Sequence, residues 1–317
     1  MLIDEKMNSM PEIRQDSVDE KHLSDFCRAR GVRFFRVGGL FWMSRGLRFF
    51  SPWPASKPIS LSPQDLRFMW GQKALFLHYV SAEDKPYFPG YDLVVDDKNY
   101  DFRSITSSKR RHNIRWALKH CTVERVQFNL LAQEAGPLME DTHRRQDRTF
   151  NESVLKMWIN YFKIAESNPL FEAWASFVGN QLAAVCVVVT VGGGTYIEMT
   201  FSRTELLKYH PVDALAFVAT QEFIARQGIT HVSYGRRPIT GEPEGLVNFK
   251  ESMGFRKVPV RERIEIHPAL KPALWGPLSS AARFVAKICS NRSMYARIIT
   301  GVLDTYRGQV NVMSLDK

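Results

Sequence analysis

The chain has 317 residues, 44% of them hydrophobic and 24% charged, which is enough apolar material for one large domain or two ordinary ones. A formal net charge of +10 points to an anionic partner, whether nucleic acid, a phosphorylated cofactor or an anionic membrane surface. The four cysteines, Cys27, Cys121, Cys186 and Cys289, are scattered without metal-ligand spacing. That argues against a disulfide scaffold and against a zinc site, and Cys121 and Cys186 read as small core residues.

The start, MLIDEKMNSM, holds acidic residues and leads into no apolar run. The longest apolar stretch, at 182–191, is too short and too β-branched for a membrane-spanning helix. A cytoplasmic protein without a transmembrane segment is therefore expected. Residues 1–16 and the tail after Arg307 are polar without period and read as mobile ends.

Ser17 caps a helix that Gly31 ends. Aromatic-rich runs at 32–37, 40–43 and 47–50, separated by Gly38-Gly39 and Arg45-Gly46, predict a meander. Residues 51–63 hold several prolines and read as an irregular loop. A short helix at 63–72 precedes strands at 74–80 and 91–95. A helix over 106–120, capped by Ser104 or Thr106, has a narrow apolar stripe and a basic face. Two more helices fit 133–148 and 152–166.

The pattern then changes. Strands at 171–178 and 182–191 flank a Gly179-Asn180 hairpin turn, and Gly192-Gly193-Gly194 leads into a third strand at 195–201. A helix over 211–227 ends at Gly228, followed by a short buried strand at 229–234, a helix at 244–253 and one or two closing strands at 255–266. Residues 278–306 read as one or two basic amphipathic helices, either packed on the domain or making peripheral membrane contact.

The second half thus reads ααβββαβαβ, an order similar to that of the GNAT acyltransferases. The basic helix start SSKRRHNIR at 107–115 resembles that of the FemAB-like aminoacyltransferases and related single-chain acetyltransferases, and FKESMGF at 249–255 resembles their closing helix. The hairpin FVGNQLAA at 177–184 resembles the family's turn. This resemblance covers about half the chain. It implies an α/β (α+β) GNAT fold with a mixed, centrally splayed sheet flanked by helices. Divisions follow at 1–16, 17–101, 102–268 and 269–317, the second being either a degenerate GNAT half, as in tandem proteins, or an unrelated unit.

One departure bears on the donor. Ordinary GNAT enzymes hold the pyrophosphate of coenzyme A on a glycine-rich turn at a helix start. Here the matching stretch runs Lys208, Tyr209, His210, Pro211 with no glycine. Acyl-CoA and aminoacyl-tRNA both stay open as donors, with Lys208, Tyr209, Pro211, Asn248, Arg236 and Arg237 implied near the donor. No metal is expected.

Acyl transfer needs an activated carbonyl beside a nucleophile, a proton acceptor, and stabilisation of an oxyanion and leaving group. Under the resemblance Lys250 faces the donor as a cation; the bland alternative is an exposed helix lysine. Glu198, mid-strand among apolar neighbours, is a base or a solvated carboxylate. His210 is a second base candidate, and Tyr234 an acid or a packed aromatic. Arg236 and Arg237 clamp an anion or lie in a solvated loop. Lys109, Arg110, Arg111 and Arg115 form an anion-binding face or a solvated one.

Three functions follow. The first is N-acyl transfer from acyl-CoA to an amine of a small molecule or amino acid. The second is FemAB-like aminoacyl transfer from tRNA to a peptide, precursor or lipid. The third is an inactive GNAT-like binding module. No Walker loop, nucleophile elbow or dinucleotide fingerprint competes.

Overall fold

Apolar side chains recur at helical spacing in α1 (Val18–Ala29), which buries Leu23, Phe26 and Cys27. Residues 18–46, 48–84, 87–239, 241–271, 301–302 and 306 are described by a computed structural model. The expectations for residues 1–17, for the tail after Arg307 and for all of 278–306 except Gly301, Val302 and Tyr306 lie outside those residues.

A meander follows α1: β1 (Phe34–Val37), β2 (Leu40–Ser44) and β3 (Phe49–Trp53), each antiparallel to the next. The strand β3 continues through Pro52 into the expected loop. Pro52 lies beyond the last pair with the following strand, where only one side is bonded and the missing N–H costs nothing. The helix α2 (Pro63–Gly71) starts on a capping box between Ser62 and Asp65. It covers the meander, and Met69 shares one buried core with Trp42, Phe50 and Leu77. Next come β4 (Phe76–Val80) and β5 (Phe88–Val95).

The basic helix is α3 (Ser108–His120), capped by Ser107 rather than by Ser104 or Thr106. An unexpected edge strand, β6 (Cys121–Val126), leaves it directly and pairs with β7 (Phe171–Val178). Its exposed Glu124 and Arg125 suit an edge. The helix expected over 133–148 is instead two, α4 (Phe128–Glu134) and α5 (Gly136–Arg145). Pro137, in the first turn of α5, has no N–H to give to the preceding turn, so the ladder breaks there. Then follow α6 (Glu152–Ala165), β8 (Gln181–Val191), β9 (Gly194–Ser202), a 3-10 turn at Thr204–Tyr209, α7 (Pro211–Ala225), β10 (His231–Arg236), α8 (Glu244–Ser252) and β11 (Arg256–Ile266).

Among the described residues, eleven strands form one mixed sheet in the order β1-β2-β3-β4-β11-β5-β10-β9-β8-β7-β6. The last strand, β11, is inserted between β4 and β5 and joins the meander to the rest. Helices cover both faces of the second half. On one face α1, α4, α5 and α6 pack with Phe41 and Trp53 of the meander; on the other α3, α7 and α8 pack over β8 and β10. The strand β8 is buried along nearly its whole length, and α7 on many sides, because each is covered twice. Among the described residues, no helix is long and apolar enough to cross a membrane.

Candidate active site

The sheet opens between β9 and β10. These parallel strands pair only where Gly194, Thr195 and Tyr196 meet His231, Val232 and Ser233. Beyond Ser233 an irregularity in the β5 ladder bends β10 toward β5, and Arg236 pairs with Asp92. A second irregularity lies on β9 opposite β8. Val187 pairs with Met199 and Val188 with Ile197, so Glu198 has no partner. The extra residue turns Glu198 and Met199 toward the same face, where Met199 packs on the α1 core and Glu198 meets Arg45 at 3.5 Å. Glu198 is exposed as a residue although its side chain is only 26% exposed, so its backbone is open as well. Unpaired backbone at a splayed strand can face a developing oxyanion.

Tyr234, the first β10 residue past the opening, reaches back across it. Its hydroxyl lies 3.3 Å from Thr200 Oγ1 on β9. Burial pushes that hydroxyl up to about 12, against the pull of the Thr200 bond, so it keeps its proton at neutral pH. Behind Tyr234 stands Lys250 on α8, 5% exposed and not a solvated helix lysine. Its Nζ donates to the Tyr234 carbonyl oxygen at 3.1 Å and to Glu242 at 2.5 Å, and lies 4.9 Å from the Tyr234 ring. Glu242 is itself 4% exposed at its side chain, and its Oε2 has no hydrogen-bond partner.

The start of α7 is built differently from a phosphate turn. His210 caps it in left-handed backbone at φ 55°, and Pro211 is the first helical residue. Asp213, 5% exposed, is ion-paired to Arg110 of α3, while His210 Nδ1 stands 3.8 Å from its other oxygen. Arg110 also donates to Ser252 at 3.0 Å and stacks over Phe249, so it ties α3, α7 and α8 together. A pocket of about 270 Å³ lies between α3 and α8, lined by Lys109, Arg110 and Asn113 on one side and Asn248, Phe249 and Ser252 on the other. Arg111 donates to the Ile105 carbonyl, Arg115 lies over the Phe102 ring, and Lys208 over the Tyr209 ring.

Arg236 and Arg237 part company. Arg237 is exposed, its amide bonded to the Tyr91 carbonyl. Arg236 has a side chain only 9% exposed, 3.8 Å from Glu262, with Nη1 lacking a hydrogen-bond partner. Glu262 also bonds His78, and the neighbouring Asp92 accepts from Ser233 at 2.7 Å and from Ser56. This buried polar cluster spans β4, β11, β5 and β10. Burial, assisted by the Arg236 charge, lowers His78 to about 4, with Glu262 opposing. An unfolded histidine takes up its proton near 6.5, so between about pH 6.5 and 4 the unfolded chain binds more protons. Stability from a neutral His78 is therefore complete above pH 6.5 and lost as pH falls toward 4. The loss from this residue is about 2 kcal/mol between pH 7 and pH 5. Urea unfolding of the wild type and of His78→Gln at both pH values checks this: the variant should show the shallower pH dependence.

The structure therefore brings Lys250, Tyr234 and Glu198 to the two sides of one opening, with His210, Pro211, Arg110, Lys109 and Asn248 on the α3–α7–α8 side. Glu242, Thr200, Asp213 and Arg45 belong to the same constellation, and no local pattern in the sequence singles them out. Only their proximity in space marks them. Among the described residues, no group of histidine, cysteine and acidic side chains is placed to hold a metal.

A mixed sheet, splayed between parallel strands and flanked by helices, is the fold that this chain shares with FemX. No family model and no curated protein matches the sequence. Among solved structures the chain is similar to FemX, with a TM-score of 0.55 at 12% identity over 81% of this chain and 94% of that one. A C-terminal domain from Agrobacterium fabrum that bears the name lysylphosphatidylglycerol synthetase gives a TM-score of 0.51 at 13% identity, covering 81% and 94%. L-PGS from Bacillus licheniformis gives 0.50 at 13%, covering 88% and 98%. At these identities the likeness is one of fold.

Proposed function

We propose that this chain is an acyltransferase that moves an aminoacyl group from the 3′ end of a tRNA to an amine or hydroxyl of an acceptor at the β9–β10 opening. The observation that carries the donor reading is the α7 N-terminus. A pyrophosphate there needs unengaged N–H groups and a positive helix end. Pro211 has no N–H, the Asp213 amide already bonds the His210 carbonyl, and the buried Asp213 carboxylate occupies the first turn with Arg110. That arrangement disfavours coenzyme A in the position expected of an ordinary GNAT enzyme. The neighbouring α3 carries Lys109, Arg110, Arg111, Arg115 and Lys119 without a single acidic residue, which suits a polyanionic donor. One fold neighbour bears a name that joins an amino acid to a lipid, lysylphosphatidylglycerol synthetase, in keeping with aminoacyl transfer.

In this reading the donor approaches from the α3–α8 face and the acceptor from the face of Arg45 and Trp53. Glu198 takes the proton of the attacking group. The carbonyl oxygen of the ester becomes an oxyanion facing the opened β9 backbone, with the Lys250 cation behind it. Tyr234, held protonated, donates toward the leaving ribose oxygen as the ester bond breaks and the new amide or ester forms. Trp53 Nε1, the Tyr161 hydroxyl and Arg236 Nη1 are buried without hydrogen-bond partners. Their position on the acceptor face suits an acceptor rich in carbonyl or carboxylate oxygens.

The test is a thermal-shift titration with tRNA, coenzyme A and acetyl-CoA beside a search for copurified RNA. Stabilisation by tRNA and salt-released RNA are expected. Stabilisation by acetyl-CoA alone would replace the donor with acyl-CoA, and silence from all of them would favour an inactive binding module.

A further inference from the structure

The α3 helix carries more than charge. Lys109, Asn113, Trp116 and His120 follow at spacings of four, three and four and therefore lie along one face. Lys109 and Asn113 line the pocket against α8. Farther along, Trp116 is 43% exposed, a large apolar side chain left open on the surface. Its ring lies 4.0 Å from that of His120 at 33°, and His120 lies 5.8 Å from Tyr209 at 31°. The three rings form a short tilted stack. Its geometry is fixed from below: His120 Nδ1 is 2.8 Å from the Trp116 carbonyl oxygen, and the Tyr209 carbonyl accepts from the Cys121 thiol. Lys208 Nζ caps the stack 5.1 Å from the Tyr209 ring.

We infer that this stripe is a stacking platform for the unpaired 3′ nucleotides of the donor RNA, one base lying on Trp116 and the chain end leading along α3 to the pocket at Lys109 and Asn113. The inference rests on the tRNA reading of the donor. Exposed aromatic faces among cations bind single strands because every base has a π-face and every nucleotide a charge. The face from Lys109 to His120 is roughly 16 Å long at the helical rise. A stacked strand advances about 3.4 Å per base, so the face has room for about five nucleotides, enough for a four-nucleotide overhang. Charge complementarity supports a nucleic acid, since α3 is acid-free in a chain of net charge +10. The side-by-side stacking of the rings favours a base over a lipid surface, which would take apolar tips pointing outward.

The experiment uses the full chain and two fluorescent RNA hairpins of equal duplex, one with four unpaired 3′ nucleotides and one blunt. The wild type should bind the overhang form about tenfold more tightly, and Trp116→Ala should remove that preference while leaving blunt-hairpin binding unchanged. His120→Ala, on the same stack, should weaken the preference in the same direction and serves if Trp116→Ala folds poorly. Equal binding of both hairpins by the wild type, or an undiminished preference in both variants, overturns the platform and leaves the tRNA reading standing. Binding of neither hairpin ends both. Vesicles of phosphatidylglycerol and phosphatidylcholine complete the test: loss of vesicle binding in Trp116→Ala with unchanged RNA preference would reassign the stripe to a membrane surface.

Discussion

Replacing Lys250 by methionine is expected to lower turnover about a hundredfold, because it removes both the charge behind the oxyanion and the Nζ bond that holds the Tyr234 carbonyl. The same substitution should also destabilise the protein, by about 3–5 kcal/mol, because it strands the buried Glu242 carboxylate without its cation. These two effects can be separated. Removing both partners in Lys250→Met with Glu242→Leu exchanges a buried ion pair for apolar packing, which is often neutral or stabilising. Stability should therefore return in the double variant while activity does not. Unfolding by urea reads the first quantity and single-turnover transfer the second. Recovery of activity together with stability would reduce Lys250 to a structural residue holding the α8 turn against β10.

Gly90→Ala is expected to be among the most damaging small substitutions in the molecule. Its backbone is ordinary strand, so alanine meets no conformational penalty; the obstacle is space. A Cβ there would stand 1.9 Å from Glu262 Oε1 and 2.7 Å from its Cγ. Glu262 is 2% exposed, bonded to His78 and close to the buried Arg236, so it has nowhere cheap to go. Moving it leaves a guanidinium buried without its countercharge, at a cost of about 3–5 kcal/mol. The check is a double-mutant cycle. In a Glu262→Ala background the clash is absent and Gly90→Ala should cost under about 1 kcal/mol more, a large departure from additivity. An equal cost in both backgrounds would place the obstruction elsewhere.

How much of this was visible in the sequence differs sharply between fold and site. Element order and the hairpin at Gly179-Asn180 follow from short-range patterns, period two against period 3.6 with glycine punctuation, and these lead to the GNAT arrangement. The misplaced elements lie where tertiary context decides. The edge strand β6 follows a helix without a turn, and β3 runs through Pro52 because a bond on one side suffices there. Candidate residues inside a recognisable segment, such as Lys250 in the closing helix, are legible as candidates from the sequence alone. Glu242, in a proline-flanked loop, and Asp213, inside an apolar helix, are not, since each gains meaning only from a cation brought by another element. The burial of Arg236 was likewise hidden, because its countercharge on β11 is distant in sequence and adjacent in the sheet.

The insertion of β11 between β4 and β5 also sets an order of events during synthesis. Strand β4 is made early, yet its pairing partner Glu262–Ile266 emerges only after most of the chain. At ribosomal rates of about 5–20 residues per second the wait is roughly 10 to 40 s. Throughout it, the inner edge of Phe76–Val80 is a bare row of amides and carbonyls beside the aromatic meander. The first quarter of this protein therefore leaves the ribosome as an unfinished sheet, and its solubility during birth depends on whatever shields that edge until the last strand arrives.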